Sequence, residues 1–208
     1  MTHSTGRRSR TRGGAVNHDA PVPGSAADTT PDADPASVAR NIVLRQLTAG
    51  ARSRAQLADV LARRGVPDEV AQAVLNRFEE VNLVDDAEFA RQWVQSRRTG
   101  RGLARRALQH ELRHRGVDDE TVREAVAGID DDAEVETARE LVRRRLPSTA
   151  SDDPARRQRR LAGMLARKGY GPGVALRVVR EEVAAAQDRG LFGGGDGDDL
   201  LDAALPDD

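Results

Sequence analysis

Leu61-Ala62-Arg63-Arg64-Gly65, Leu112-Arg113-His114-Arg115-Gly116 and Leu165-Ala166-Arg167-Lys168-Gly169 are three writings of one phrase, 51 and 53 residues apart. Four positions before each opening leucine stands another, Leu57, Leu108 or Leu161, so every copy carries an i, i+4 apolar pair on one face of a helix. The glycine that closes each copy suits a helix C-terminus, where the chain commonly turns through a left-handed conformation that penalises a Cβ. Val66, Val117 and Tyr170 then lead the chain back toward a core. A period of this length accommodates about three short helices and marks a modular helical array. Such arrays bind macromolecules more often than they catalyse reactions.

Outward from these anchors, apolar residues recur at helical spacing and turn residues divide the pattern into nine helices. They are expected at 36–48, 53–64 and 67–82 in a first unit (35–84), and at 86–98, 102–115 and 119–128 in a second (85–130). A third unit (131–186) is expected to hold 132–145, 154–168 and 172–185. Strand signals are absent, so the fold class is all-α, a tandem array of three three-helix repeats. Helices this short are marginal in isolation and must be held by packing within and between units. Asp85-Asp86-Ala87-Glu88 and Asp131-Asp132-Ala133-Glu134 each place an Asp three residues before a Glu, a variant of the capping box that gives these carboxylates a structural task. Residues 1–34 and 187–208 lack apolar periodicity and are expected to be disordered tails, the second acidic. The stretch Gly193 to Asp199 lacks the ligand spacing and closing Glu of a calcium loop.

Aromatic residues make up 2% and charged residues 32% of the 208, so the cores are aliphatic and small. No apolar run approaches the roughly 18 residues of a membrane helix. The basic start, Arg7-Arg8-Ser9-Arg10-Thr11-Arg12, is followed by polar residues instead of the apolar stretch of a secretion signal. Cysteine is absent, which excludes disulfides and thiolate metal ligands; a cytoplasmic location is expected. The net charge of -1 conceals an asymmetry. Residues 1–34 balance four Arg with four Asp and residues 187–208 carry one Arg and seven Asp, leaving +5 on residues 35–186. A basic body suits an anionic partner.

All but one of the 33 basic residues are arginine, the exception being Lys168. Their density peaks where Arg97, Arg98, Arg101, Arg105, Arg106, Arg113 and Arg115 stand against one acid, Glu111. Arginine offers bidentate contacts to carboxylate or phosphate, so Arg97, Arg98, Arg101, Arg105 and Arg106 are the candidate partner-binding residues. A second cluster is Arg156, Arg157, Arg159 and Arg160. Phe89 and Trp93, one helical turn apart, are expected in the core.

His110-Glu111-Leu112-Arg113-His114 matches the zinc-peptidase pattern H-E-x-x-H. The repeat places Asp59 and Gly163 opposite His110, and Arg63 and Arg167 opposite His114, which describes a solvated face. The other histidines, His3 and His18, lie in the head, so a third histidine ligand is missing. No catalytic residue, metal or cofactor is expected, and no Walker-type phosphate loop occurs.

The stretch from Leu83 through Asp85, Asp86, Phe89, Ala90 and Trp93, followed by Arg97-Arg98, Gly102, Glu111-Leu112 and Gly116, resembles the central signature of the RecX family. With weaker similarity on either side, the resemblance covers about 150 of the 208 residues. It implies tandem three-helix repeats and a monomeric, non-enzymatic regulator of the RecA recombinase. Such a regulator binds RecA and its filament on single-stranded DNA and restrains ATP turnover, filament growth and strand exchange, so modulating homologous recombination, DNA repair and the SOS response. The competing reading is a basic helical module that contacts DNA directly, against which stands the scarcity of aromatics for stacking bases.

Overall fold

A computed structural model describes residues 34–192. Among the described residues there are nine α-helices and no strand: α1 (Pro35–Ala49), α2 (Arg54–Arg63), α3 (Asp68–Glu80), α4 (Asp86–Arg101), α5 (Arg105–His114), α6 (Asp119–Ala127), α7 (Asp131–Arg145), α8 (Pro154–Arg167) and α9 (Pro172–Asp188). Of the expected tails 1–34 and 187–208, residues 1–33 and 193–208 lie outside the described residues, while Asp34 caps α1 and α9 extends to Asp188. Within each triplet the first helix packs on the third, α1 on α3, α4 on α6 and α7 on α9. Three aliphatic cores result. The leucine pairs Leu57/Leu61, Leu108/Leu112 and Leu161/Leu165 sit at their centres with at most 1% exposure, each leucine contributing about 1.5–3 kcal/mol by leaving water.

Side-chain caps start most of the helices. Ser53 and Gln56 form a full capping box on α2, while Asp85, Asp118 and Asp153 accept backbone N–H bonds of 2.8–2.9 Å at the starts of α4, α6 and α8. Two expectations need correction. The cap of α7 is Asp130, whose carboxylate accepts the Ala133 N–H at 3.0 Å, which releases Asp131 and Glu134 for other partners. In the Asp85 motif only half of the box forms, because Glu88 bonds Arg91 and Gln92 instead of the cap backbone.

Three boundaries also differ from expectation. Helix α4 continues to Arg101 and stops at Gly102, which has φ 59°; α5 then begins at Arg105. A 3-10 turn, Leu146–Thr149, follows α7, and Leu146 joins the third core. Helix α9 runs to Asp188, and the chain beyond it stays against the body as far as Phe192, whose ring lies 3.7 Å from the Arg157 guanidinium carbon.

The units interlock through a junction that occurs twice. At the first, the Ser53 hydroxyl donates to the Arg115 carbonyl at 2.5 Å, and Asp86 of α4 accepts the Arg54 N–H of α2 at 2.8 Å. At the second, the Ala104 N–H donates to the Lys168 carbonyl at 2.9 Å, and Glu134 of α7 accepts the Arg105 N–H of α5 at 2.8 Å. In both, the start of one unit's middle helix meets the end of the next unit's middle helix, and a carboxylate from the next unit takes an N–H that no helical turn satisfies. The phrase-closing glycines lie in these contacts. A Cβ on Gly116 would overlap that of Ala55, and one on Gly169 would come within 2.6 Å of both the Cβ and the backbone nitrogen of Ala107. Among the described residues no unit precedes that of Gly65, and a Cβ there would meet nothing within 4 Å.

Among the described residues no unit follows the third, and there the place of Ser53 and Ala104 is taken by Arg157. This arginine, 4% exposed, donates to the carbonyls of Thr149, Ala150 and Asp152 at 2.9–3.1 Å and closes the end of the array. Tyr170 secures the second junction from within, its hydroxyl donating to the Gly102 carbonyl at 3.1 Å.

Two stability measurements follow. Gly65→Ala meets only the left-handed penalty of φ +75° and is expected to cost about 1 kcal/mol. Gly116→Ala adds the clash with Ala55 and is expected to cost at least twice as much by urea denaturation; equal costs would mean that the junction yields. Burial pushes the phenol of Tyr170, the only tyrosine, up to about 12 from an ordinary value near 10, so the folded state holds the proton longer than the unfolded one. Its stabilising share is complete below pH 10 and disappears as pH rises toward 12. The phenolate absorbance band should therefore emerge near pH 12, and Tyr170→Phe should weaken the alkaline decline in the urea midpoint.

Candidate functional site

The five arginines expected to form one binding surface are dispersed by the fold into distinct settings. Arg105 belongs to the second junction: its guanidinium donates to the Ile129 carbonyl and pairs with Asp131 at 2.8 Å, the carboxylate set free by the shifted cap of α7. Arg97 lies over Trp93, 4.0 Å from the ring centroid, with Glu111 at 3.6 Å. Arg98 lines a groove of about 550 Å³ between α4, α6 and α7, together with Arg91 and Arg144, and its guanidinium makes no hydrogen bond or ion pair among the described residues.

Arg101 and Arg106 reach a different face, where α5 of the second unit meets α8 of the third. Two adjoining shallow grooves run there, both lined by Ala107, His110 and Arg167; Arg106 borders one and Arg101 the other. Arg106 and Arg167 are exposed and have no partner among the described residues, while Arg101 lies 3.7 Å from Glu111. Lys168 stiffens this face by donating from Nζ to the Arg101 carbonyl. Burial, then the positive charges of Arg101 and Arg144, depress its ammonium below the usual lysine range. The result is a fixed cationic face built from two units. Arg167 was visible in the sequence only as the third copy of the Arg63 and His114 column.

In the second arginine cluster, Arg157 closes the array as described. Arg156 and Arg160 pair with Asp152 at 3.4 and 3.0 Å, while the exposed Arg159 has no such close ion pair and acts on Asp153 only through its charge.

The family-like residues resolve into architecture. Asp85 caps α4, Asp86 caps α2 of the preceding unit, Phe89 and Ala90 lie in the second core, and Gly116 admits Ala55 at the junction. Burial raises the Asp86 carboxyl, and the Arg54 N–H bond opposes that rise. Leu83 is 54% exposed beside Phe89 and Leu47 in a shallow groove.

Trp93 packs at the edge of the second core, stacked on Phe89 with ring centroids 5.9 Å apart. It is only partly buried, its indole N–H donates to Glu111 at 2.9 Å, and Arg115 lies 3.6 Å from the ring centroid in addition to Arg97. Glu111 is therefore occupied by Trp93 and two arginines, while His110 and His114 are exposed. Among the described residues no group of three His, Asp or Glu is placed to share one metal ion, and no helix is long and apolar enough to cross a membrane.

Comparison with known proteins accounts for this arrangement. Residues 39–78, 85–126 and 132–179 match the models of the first, second and third three-helix domains of RecX. The chain is 57% identical over 171 residues to the regulatory protein RecX of Thermobifida fusca, covering 82% of this chain and 90% of that protein. It is 56% identical over 151 residues to the one from Streptomyces lividans, covering 73% and 80% respectively. The crystal structure of RecX from Lactobacillus salivarius shares the fold with a TM-score of 0.65 at 20% identity, over 73% of this chain and 99% of that one. Three interlocked three-helix units, each matched in order by its own family model, make this chain a member of the RecX family of regulatory proteins.

Proposed function

We propose that this protein is a cytoplasmic, monomeric regulator that binds RecA and its filament on single-stranded DNA and restrains ATP turnover, filament growth and strand exchange. It acts by occupying a surface and contributes no catalytic group. The observation that carries this reading is the cationic face across the second junction. Arg106 and Arg167, from two different units, stand exposed without partners among the described residues, with Arg101 at the same face. Side chains of this kind are available to acidic residues on a partner, where guanidinium groups form paired charge-assisted hydrogen bonds. The interlocked junction fixes the two helices that carry them, so the backbone needs little ordering on binding and the remaining cost is that of the side chains. Arg98, with Arg91 and Arg144, provides a second basic groove on the same array. Arg97 and Arg105 contribute indirectly: their guanidinium groups already brace Trp93 and the junction.

The direct test is the single-stranded-DNA-dependent ATPase of the cognate RecA, measured with increasing amounts of this protein beside a filament pull-down. Inhibition at well below one regulator per RecA, with retention on the filament, is the expected result. Retention on DNA alone with a steep salt slope and no effect on filaments would select the direct DNA-binding reading instead. The double substitution Arg101→Ala/Arg106→Ala is expected to weaken filament binding about tenfold with unchanged helicity, since exposed arginines at an interface carry about 1 kcal/mol or more between them. Arg105→Ala should instead lower the unfolding midpoint, because it removes a junction contact.

A further inference from the structure

We infer that residues 193–208 of this chain dock along α8 into the cationic grooves between α5 and α8 and compete there with an anionic partner. Six of these residues are Asp and none is basic. The face carries the opposite charge. Arg106 and Arg167 stand there exposed, without a hydrogen bond or ion pair among the described residues, and Arg101 adjoins them.

Where the chain leaves the described body decides what this segment reaches. The Phe192 ring lies against the guanidinium of Arg157, near the start of α8. Arg167 ends the same helix ten residues on, about 15 Å along its axis. An extended chain covers that distance in about five residues, so Asp198 and the residues after it come within range of Arg167. The path itself is basic: Arg156, Arg160, Gly163 and Arg167 recur at spacings of four and three on one face of α8. Arg156 and Arg160 share a single carboxylate, Asp152, so positive charge is in excess at this end of the stripe. At Gly163 no side chain stands in the way, and a Cβ there would meet only the Arg167 guanidinium, at 3.5 Å.

The destination suits the sequence of the segment. The groove bordered by Arg106 and Arg167 holds about 430 Å³, with Ala107, Ala166, Tyr170 and Pro172 lining it between the cations. Asp198-Asp199-Leu200-Leu201-Asp202 sets two leucines between carboxylates, an apolar centre with an anionic rim. Leucine leaves water on such a floor while the aspartates take charge-assisted hydrogen bonds from the guanidinium groups. Exposed ion pairs of this kind are weak one by one. Tethering offsets the weakness, because a joined segment is held at an effective concentration of about a millimolar. The face is then partly filled before any partner arrives, and partner affinity falls in proportion to the fraction left open. The competition rests on the reading of this face as the RecA-binding surface; the docking itself is measured without RecA.

The test uses the full chain, which has no cysteine, so Ala203→Cys carries a single nitroxide label beside Asp202 and alters no charge. At low salt the amide signals of Ala107, His110 and Ala166 are expected to lose intensity to the nitroxide while that of Leu61 in the first unit keeps it. Raising the salt to about 1 M, where the screening length is about 3 Å, should restore them. Either of two further changes should also restore them: Arg106→Gln/Arg167→Gln, or Asp→Asn at 196, 198, 199 and 202 together. In the filament assay the fourfold Asn variant, unlabelled, is expected to bind about tenfold tighter than the parent at low salt, as when the segment fills the face about nine-tenths of the time. Docking is overturned by undiminished signals at low salt, or by losses that survive both sets of substitutions. Losses that arise only between chains, in a mixture of spin-labelled and isotope-labelled protein, would assign the face to a second copy. Nitroxide contact with unchanged filament affinity would overturn the competition. A chain that binds no filament in any form would instead overturn the RecA reading, with the nitroxide result still deciding the docking.

Discussion

The architecture depends on how closely two middle helices approach end to end. At Gly116 and Gly169 the next unit's backbone comes so near the preceding helix that a single Cβ would overlap Ala55 or Ala107. That approach brings Ser53 to the Arg115 carbonyl and the Ala104 N–H to the Lys168 carbonyl, so the glycine serves two ends at once: a left-handed turn and a contact distance. Small residues, not large apolar ones, set the spacing of the array. The carboxylates of Asp86 and Glu134 then fasten each junction from the flank.

A junction of this kind changes what an isolated three-helix unit can be. Each unit has its own aliphatic core, but the first N–H of α2 and of α5 is satisfied only by the following unit. Stability in such an array is shared between neighbours, and the last unit needs a substitute. Arg157, with its three backbone carbonyls and the Phe192 ring, fills that role. An arginine buried to this degree in place of a serine or alanine marks where the repeat ends.

The same geometry sorts the arginines. Arg105 and Arg157 serve the fold, Arg97 and Arg115 lie over Trp93, and Arg98, Arg106 and Arg167 remain available. The proposed function draws on the last of these groups, whose helices are held together by the interlocked junctions.

The sequence by itself determined the number of units, the class of every helix, the leucine pairs of the three cores and the glycine stops. These features depend on near neighbours, because helical periodicity and left-handed turns are settled within a few residues. The family-like residues around Asp85 were legible as a pattern but not as a mechanism. Asp85 and Asp86 are adjacent, yet one caps its own helix and the other caps a helix 32 residues earlier. The cap of α7 shifted by one position to Asp130 because Asp131 and Glu134 are both drawn to Arg105 in the preceding unit. Trp93 packs against the second core beside Phe89, as their spacing suggested, but its outward contacts, Glu111 and two guanidinium groups, are partners that helical spacing along α4 alone does not reveal. Only the tertiary structure decided which arginines are spent and which are available. An arginine's charge is written in the sequence; its partner is a matter of which distant carboxylate or carbonyl the packing brings within about 3 Å.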